Sequence, residues 1–197
     1  PYRNQLSQEF KLGSIVEQTQ GSKIKDLDGN WRYDLSGSYG VNVFGYDFYK
    51  DCMAAGAEKT KDLGPALGSY HPVIAENVEI LKQVSGLDEV SFHMSGTEAV
   101  MQAVRLARYH TGKTHLVRLC GAYHGWWDGV QPGVGNQRDN NDVYTLNDQS
   151  ENTLHVLSTR NDIACVLINP LQAFHPNADS ASDVGLIASE RNSHFDK

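Results

Sequence analysis

Apolar positions along the chain change period more than once. From Val73 to Ser85 they recur as Ile74, Val78, Leu81 and Val84, which is one face of a helix. Pro72 sits at its start, where a missing N–H costs nothing, and Gly86 stops it. An earlier helix is predicted over 47–61, ending before Gly64-Pro65. The pattern then shortens. Glu89-Val90-Ser91-Phe92-His93-Met94 reads as a strand, and Thr97 to Tyr109 as a helix with Val100, Ala103, Val104 and Ala107 on its buried face. Thr111-Gly112 ends that helix and His115–Leu119 is the next strand. Strand, helix and strand of this length form a βαβ unit, which implies a parallel sheet with a right-handed crossover. The continuous apolar run Ile163–Ile168 predicts a strand buried on both faces.

Elsewhere the pattern is weaker. Residues 1–22 alternate only loosely and read as a leading segment. Lys23–Leu35 reads as a β-hairpin turned at Asp28-Gly29, since glycine tolerates a positive φ. Ser36-Gly37-Ser38-Tyr39-Gly40 is small and flexible, able to bring backbone close to a ligand. Residues 125–150, rich in Gly, Asn and Asp, read as a long functional loop, and 175–197 as irregular chain starting a helix near its end. Trp31 is expected to pack on the hairpin, and Trp126-Trp127 to divide between core and surface. Two parts are expected: an N-terminal segment over 1–45 and part of a larger α/β domain over 46–197.

Composition narrows the function classes. The 197 residues carry 17 Lys+Arg against 24 Asp+Glu, a net charge of −7 with no basic block, which argues against general nucleic-acid binding. Hydrophobic residues make up 40%, enough for a core and against whole-chain disorder. No 18-residue apolar run predicts a membrane helix and no signal-peptide pattern opens the chain, so a cytoplasmic protein without membrane partners is expected. Cys52, Cys120 and Cys165 form no C-x-x-C pair, and the eight histidines include no H-E-x-x-H; reduced thiols and no metal are expected. The chain opens on Pro1 and stops in the polar run Arg191–Lys197, as expected of a piece of something longer.

Three constellations carry chemistry. Met94-Ser95-Gly96-Thr97-Glu98-Ala99 places small residues and hydroxyls at a helix N-terminus, where free N–H groups and the dipole suit a phosphate; taken alone, the tetrapeptide reads first as an ordinary N-cap. It is neither G-x-G-x-x-G nor a Walker A loop. Gly121-Ala122-Tyr123-His124-Gly125 follows a strand directly, at the carboxyl end where open α/β sheets bind ligands. There Tyr123 offers a stacking face and His124 a group titrating near neutrality, although such a pair is often structural. Asn169-Pro170-Leu171-Gln172 ends the apolar strand, so Asn169 and Gln172 lie near the same edge, unless Pro170 marks only a turn. Jointly they ask for a phosphorylated planar heterocycle, either pyridoxal phosphate or a flavin mononucleotide.

These residues carry a family resemblance. Asp26-Leu27-Asp28-Gly29 with Ser38-Tyr39-Gly40, Leu67–Pro72, Ser95–Ala99 with Ala103–Arg108 and Thr111-Gly112-Lys113, and Gly121–Gly125 with Asp128-Gly129 resemble class III aminotransferases, in order along nearly the whole chain. The nearest branch is that of the glutamate-1-semialdehyde aminomutases, which Leu146-Asn147-Asp148 also resembles. Within it the run Ala164–Gln172 resembles the aminotransferase domains of cyanobacterial hybrid polyketide/nonribosomal peptide synthetases of the microcystin and nodularin type. The resemblance implies a fold-type-I transferase with a mostly parallel sheet, pyridoxal phosphate as cofactor and a homodimer. It implies Ser95, Gly96 and Thr97 on the cofactor phosphate, Tyr123 stacked on the ring, His124 beside it, and Ser38 and Tyr39 in the substrate pocket. Tyr39 stands where the aminomutases carry Trp.

The chain also departs from that pattern. Asn169-Pro170 replaces the family's Glu-Pro, dropping a negative charge, and Phe174 replaces an Asn, which weighs against aminomutase activity. The Asp that pairs with the pyridinium nitrogen and the Lys that anchors the cofactor are expected downstream of Lys197, so no catalytic residue is assigned and the fragment alone is expected to be inactive. The implied reaction moves an amino group from a small amino acid to a β-keto acyl chain on a carrier protein, with the 125–150 loop gating the approach of that tethered chain. The alternatives are an aminomutase of tetrapyrrole synthesis, a non-catalytic cofactor-binding fragment, and a flavodoxin-like nucleotide binder.

Overall fold

The computed structural model describes residues 15–64, 66–120, 122–131, 136–138, 141–146 and 150–169. The described chain forms two compact units that divide at 90/91, where the sequence reading put the boundary at 45/46.

The first unit holds an antiparallel sheet of β1 (Val16–Gln20), β2 (Lys23–Asp26) and β3 (Trp31–Tyr33), in that order. The predicted hairpin is β2–β3, with Lys23 opposite Tyr33 and Lys25 opposite Trp31. Its turn is set by Gly29 at φ 84° and by the Asp26 carboxylate, which accepts from the Asp28 and Asn30 N–H groups at 3.1 and 2.9 Å. β1 lies in the leading segment, to which the sequence assigned no element; its loose alternation fits a strand with one irregularity between Val16 and Gln18.

The Ser36–Gly40 run is organised as a single turn, α1 (Gly37–Gly40), rather than a flexible stretch. Asp34 holds it: its carboxylate accepts from the Ser36 and Gly37 N–H groups at 3.0 and 3.1 Å and from the Tyr46 hydroxyl at 2.6 Å. The Tyr46 and Ser36 hydrogen bonds keep the Asp34 carboxyl below its usual range. α2 (Tyr46–Thr60) and α3 (Val73–Ser85) fall where their patterns predict. Gly86 closes α3 in the left-handed region, its N–H donating to the Lys82 carbonyl. On the α3 stripe Ile74 and Val78 are half-buried, but Leu81 and Val84 are exposed.

The second unit is a parallel sheet, ordered β5-β4-β6, of β4 (His115–Leu119), β5 (Val143–Leu146) and β6 (Ile163–Leu167), with helices α4 (Gly96–Thr111) and α5 (Glu151–Thr159). The parallel sheet is as expected, but its crossover is β5–α5–β6, passing over β4. Residues 89–94 form no strand, because no described strand lies beside them to complete a ladder. The strand buried on both faces is β4, with Leu116 and Val117 at 0% exposure and Leu119 at 3%. β6 pairs with β4 alone among the described strands and is only half-buried, so its apolar run does not mark the sheet centre. Within 125–150 the chain supplies β5 and a core turn: Val130 is buried with Val104 of α4 and Leu116, and Trp127 packs against them. Trp126 is exposed, so the tryptophan pair divides as expected. On α4, Val104 is buried while Ala103 faces outward, because Thr97 takes a place on the covered face.

The amino edge of this sheet is tied by side chains from β4, from β5 and from the chain entering β6. Tyr144 donates to Asp162 Oδ2 at 2.7 Å, and Arg160 bonds both Asp162 and the Tyr144 hydroxyl. His115 stacks on Tyr144 with ring centroids 4.6 Å apart. The Arg108–Asp142 ion pair ties the end of α4 to the chain entering β5.

Because Leu116 is fully enclosed, Leu116→Ala should destabilise the chain by about 2–5 kcal/mol, the range for a buried leucine whose site cannot collapse. Urea unfolding followed by circular dichroism measures this. The exposed Leu81→Ala should change the midpoint far less.

Candidate functional site

The α4 N-terminus is built by its own sequence. Ser95 is extended and its Oγ accepts from the Glu98 N–H at 3.2 Å, while the Glu98 carboxylate accepts from the Met94 N–H at 2.9 Å. This reciprocal cap fixes the first turn. It leaves the N–H groups of Gly96 and Thr97 without an intrahelical acceptor, at the positive end of the helix dipole. Ser95 is exposed, and its hydroxyl proton remains able to donate.

The segment after β4 lies against this helix end. Gly125 adopts φ +101°, and a Cβ there would stand 2.6 Å from Thr97 Oγ1 and 2.9 Å from Thr97 Cα. Only glycine fits that approach. The Trp126 N–H donates to Thr97 Oγ1 at 3.3 Å, and Thr97 is 7% exposed. Tyr123 and His124 are thereby carried to the α4 N-terminus, Tyr123 with its ring largely open and His124 half-buried. His124 Nε2 is enclosed with no hydrogen-bond partner among the described residues. Burial, and then the Arg118 guanidinium, push the His124 imidazole below its ordinary range. Arg118 itself is buried in β4 and donates from Nη1 to the Val130 carbonyl at 3.0 Å, pinning the far end of the same segment.

Of the residues singled out in the sequence, the structure brings Ser95, Gly96, Thr97, Tyr123 and His124 together. Asn169 is half-buried just past the end of β6; since Arg118 pairs with Leu167, it lies at the same carboxyl edge of the sheet. Gln172, like Gly121, Pro170 and Phe174, lies outside the described residues. Ser38 and the Tyr39 backbone belong to the first unit, in α1, with Ser38 exposed at φ 52°. Arg118 was missed: a lone cation in an apolar strand reads as a solvent-facing residue, and only the turn back to Val130 shows otherwise. The described parts of 125–150 are built into the core and the sheet, so the expected gating loop has no support in its packing.

The donors fit a phosphorylated planar ring. Two main-chain N–H groups and a hydroxyl suit a phosphate, an open aromatic face lies two residues before the Gly125 contact, and the imidazole between them keeps an enclosed nitrogen without a partner among the described residues. No described helix is long and apolar enough to cross a membrane, and no described group of three or more His, Cys, Asp or Glu is placed to hold a metal ion.

His124 gives this edge a pH dependence. Its folded value lies below the unfolded value of about 6.5, so between the two the unfolded chain binds more protons. Stability is then fully present above about pH 6.5 and is lost as pH falls toward the folded value. Urea midpoints should rise from pH 5 to pH 7, and rise less in His124→Gln; equal slopes would contradict the assignment.

Known proteins resemble the chain in sequence and in fold. A family profile described as aminotransferase class-III matches residues 6–173. The glutamate-1-semialdehyde 2,1-aminomutase of Chlorobium phaeobacteroides is 33% identical over 170 residues, covering 77% of this chain and 39% of that protein. The glutamate-1-semialdehyde 2,1-aminomutase 2 of Shouchella clausii is 29% identical over 173 residues, covering 79% and 40%. A solved structure described as a transaminase with PLP bound superposes with a TM-score of 0.70 at 27% identity, covering 89% of this chain and 45% of that one. The chain thus spans about 40% of the length of these curated relatives and carries part of the fold-type-I transaminase domain. By its motifs, its sheet and these matches, the chain belongs to the class III aminotransferases.

Proposed function

We propose that this chain supplies the phosphate cup and ring-stacking face of a pyridoxal-phosphate aminotransferase. The observation that carries the reading is the seating of Gly125 on Thr97, which joins the capped α4 N-terminus to Tyr123 and His124. Pyridoxal phosphate, when bound, supplies an aldehyde that takes up an amine and a protonated ring that draws electrons from the amine's α-carbon. The Gly96 and Thr97 N–H groups and the Ser95 hydroxyl donate to its phosphate. The Tyr123 ring covers one face and keeps water from it. His124, its imidazole pushed below its ordinary range by burial and then by Arg118, would add no cation beside the ring at neutral pH. Asn169 stands at the same sheet edge as a neutral carboxamide.

The substrate reading follows the relatives. Both curated relatives are aminomutases, which supports movement of an amino group within a small amino aldehyde. The carrier-bound β-keto acyl substrate of a hybrid synthetase has no support among the comparisons. The departure at Phe174 favours amino transfer without isomerisation as a second reading.

Titrating the chain with pyridoxal phosphate should quench aromatic fluorescence in a saturable way, reversed by excess inorganic phosphate. Tyr123→Leu should weaken binding by about 2–12-fold, equivalent to an aromatic contact of about 0.5–1.5 kcal/mol. Flavin mononucleotide binding in its place would overturn the reading. On the protein that carries this segment, isomerisation of glutamate 1-semialdehyde supports the aminomutase reading. Amino transfer from an amino acid to a keto acid without isomerisation supports the second.

A further inference from the structure

We infer that Thr97 is a positioning residue, whose side chain holds the Tyr123–Trp126 segment at the α4 N-terminus and does not itself ligate the phosphate. The inference rests on the pyridoxal phosphate reading of the site and assigns the labour within it.

Ser95 and Thr97 look interchangeable in sequence, as two hydroxyls flanking a glycine at a helix start. Their surroundings separate them. Ser95 is exposed at the helix end, and its Oγ accepts from the Glu98 N–H, which leaves its hydroxyl proton able to donate to solvent or a ligand. Thr97 is buried, and the chain lies directly on it. Its Oγ1 accepts the Trp126 N–H, and Gly125 approaches so closely that a Cβ would overlap both Oγ1 and Cα. The Thr97 main-chain N–H remains available to an anion; the side chain is committed to the segment above it. This contact holds one end of that stretch. At the other, Trp127 covers Gly129, whose added Cβ would stand 2.6 Å from its ring, and Arg118 holds the Val130 carbonyl. Tyr123 and His124 sit just ahead of the Thr97 contact, so losing it frees the aromatic face while leaving the cup intact.

Thr97→Val keeps the shape and removes the acceptor; Thr97→Ser keeps the acceptor. Both are compared with the wild-type chain by amide hydrogen exchange and by titration with inorganic phosphate and with pyridoxal phosphate. In Thr97→Val the Trp126 amide should exchange roughly tenfold faster, with Leu116–Leu119 amides unchanged. Pyridoxal phosphate affinity should fall roughly tenfold while inorganic phosphate affinity stays within about twofold. Thr97→Ser should restore both. Unchanged Trp126 exchange in Thr97→Val overturns the inference, as does an equal loss of phosphate and pyridoxal phosphate affinity, the signature of a side-chain phosphate ligand. If the wild-type chain binds neither probe, the cofactor reading fails, and the exchange comparison still decides whether Thr97 holds the segment. If Thr97→Val loses protection throughout β4, Gly125→Ala replaces it. Its Cβ displaces the segment while the hydroxyl stays, and wild-type exchange at Trp126 in that variant overturns the inference.

Discussion

The enclosure of β4 organises the second unit. Leu116 and Val117 project to opposite faces of the sheet and both are fully buried, so this strand needs cover on both sides and a strand at each edge. α4, with Val104, and the Trp127–Val130 turn cover the Leu116 face. That turn is formed by chain that has just left β4 and doubles back. The same return carries Tyr123, His124 and Gly125 to the helix end. The site is therefore a by-product of how the core closes. A change that loosened Val130 from Leu116 would also move the aromatic face.

The two edges of the parallel sheet have separate tasks. The amino edge holds His115, Tyr144, Arg160 and Asp162 in a mutual knot, with Tyr144 the main cause of the lowered Asp162 carboxyl. The carboxyl edge holds the exposed Ser95 and the open Tyr123 ring. Exposed ion pairs contribute little singly, but here a stacked ring and a shared carboxylate link neighbouring strands, which favours one register over a slipped one. Each edge keeps one enclosed atom without a hydrogen-bond partner among the described residues: Asp162 Oδ1 in the knot and His124 Nε2 in the segment after β4.

Much of this was legible in the sequence, for identifiable reasons. α2, α3 and α4 have long periods and clear stops, and the β2–β3 hairpin has its Asp-Gly turn, so local chemistry suffices for each. β5 was hidden because Val143-Tyr144-Thr145-Leu146 is only four residues between Asn/Asp-rich flanks. α5 was passed over because Glu151–Thr159 is short and its polar residues mask the stripe. The strand expected at 89–94 has the right residues, but pairing is a non-local property that its own sequence does not carry. At the site, the residue types and their strand-end placement could be read from the pattern. The division of labour between Ser95 and Thr97 could not, because it depends on Gly125 arriving from 28 positions further along the chain.

The sheet order has a consequence during synthesis. β4 is made before β5 and β6, the strands on its two sides. When His115-Leu116-Val117-Arg118-Leu119 emerges from the ribosome, it offers two unpaired edges and two apolar faces, while both neighbours have yet to emerge. Arg118 is then the charge that interrupts the run, a gatekeeper against pairing with another nascent chain. Once Val130 arrives and accepts from its guanidinium, the same arginine becomes part of the interior. One residue thus guards the strand while it waits and anchors the site segment after it has closed.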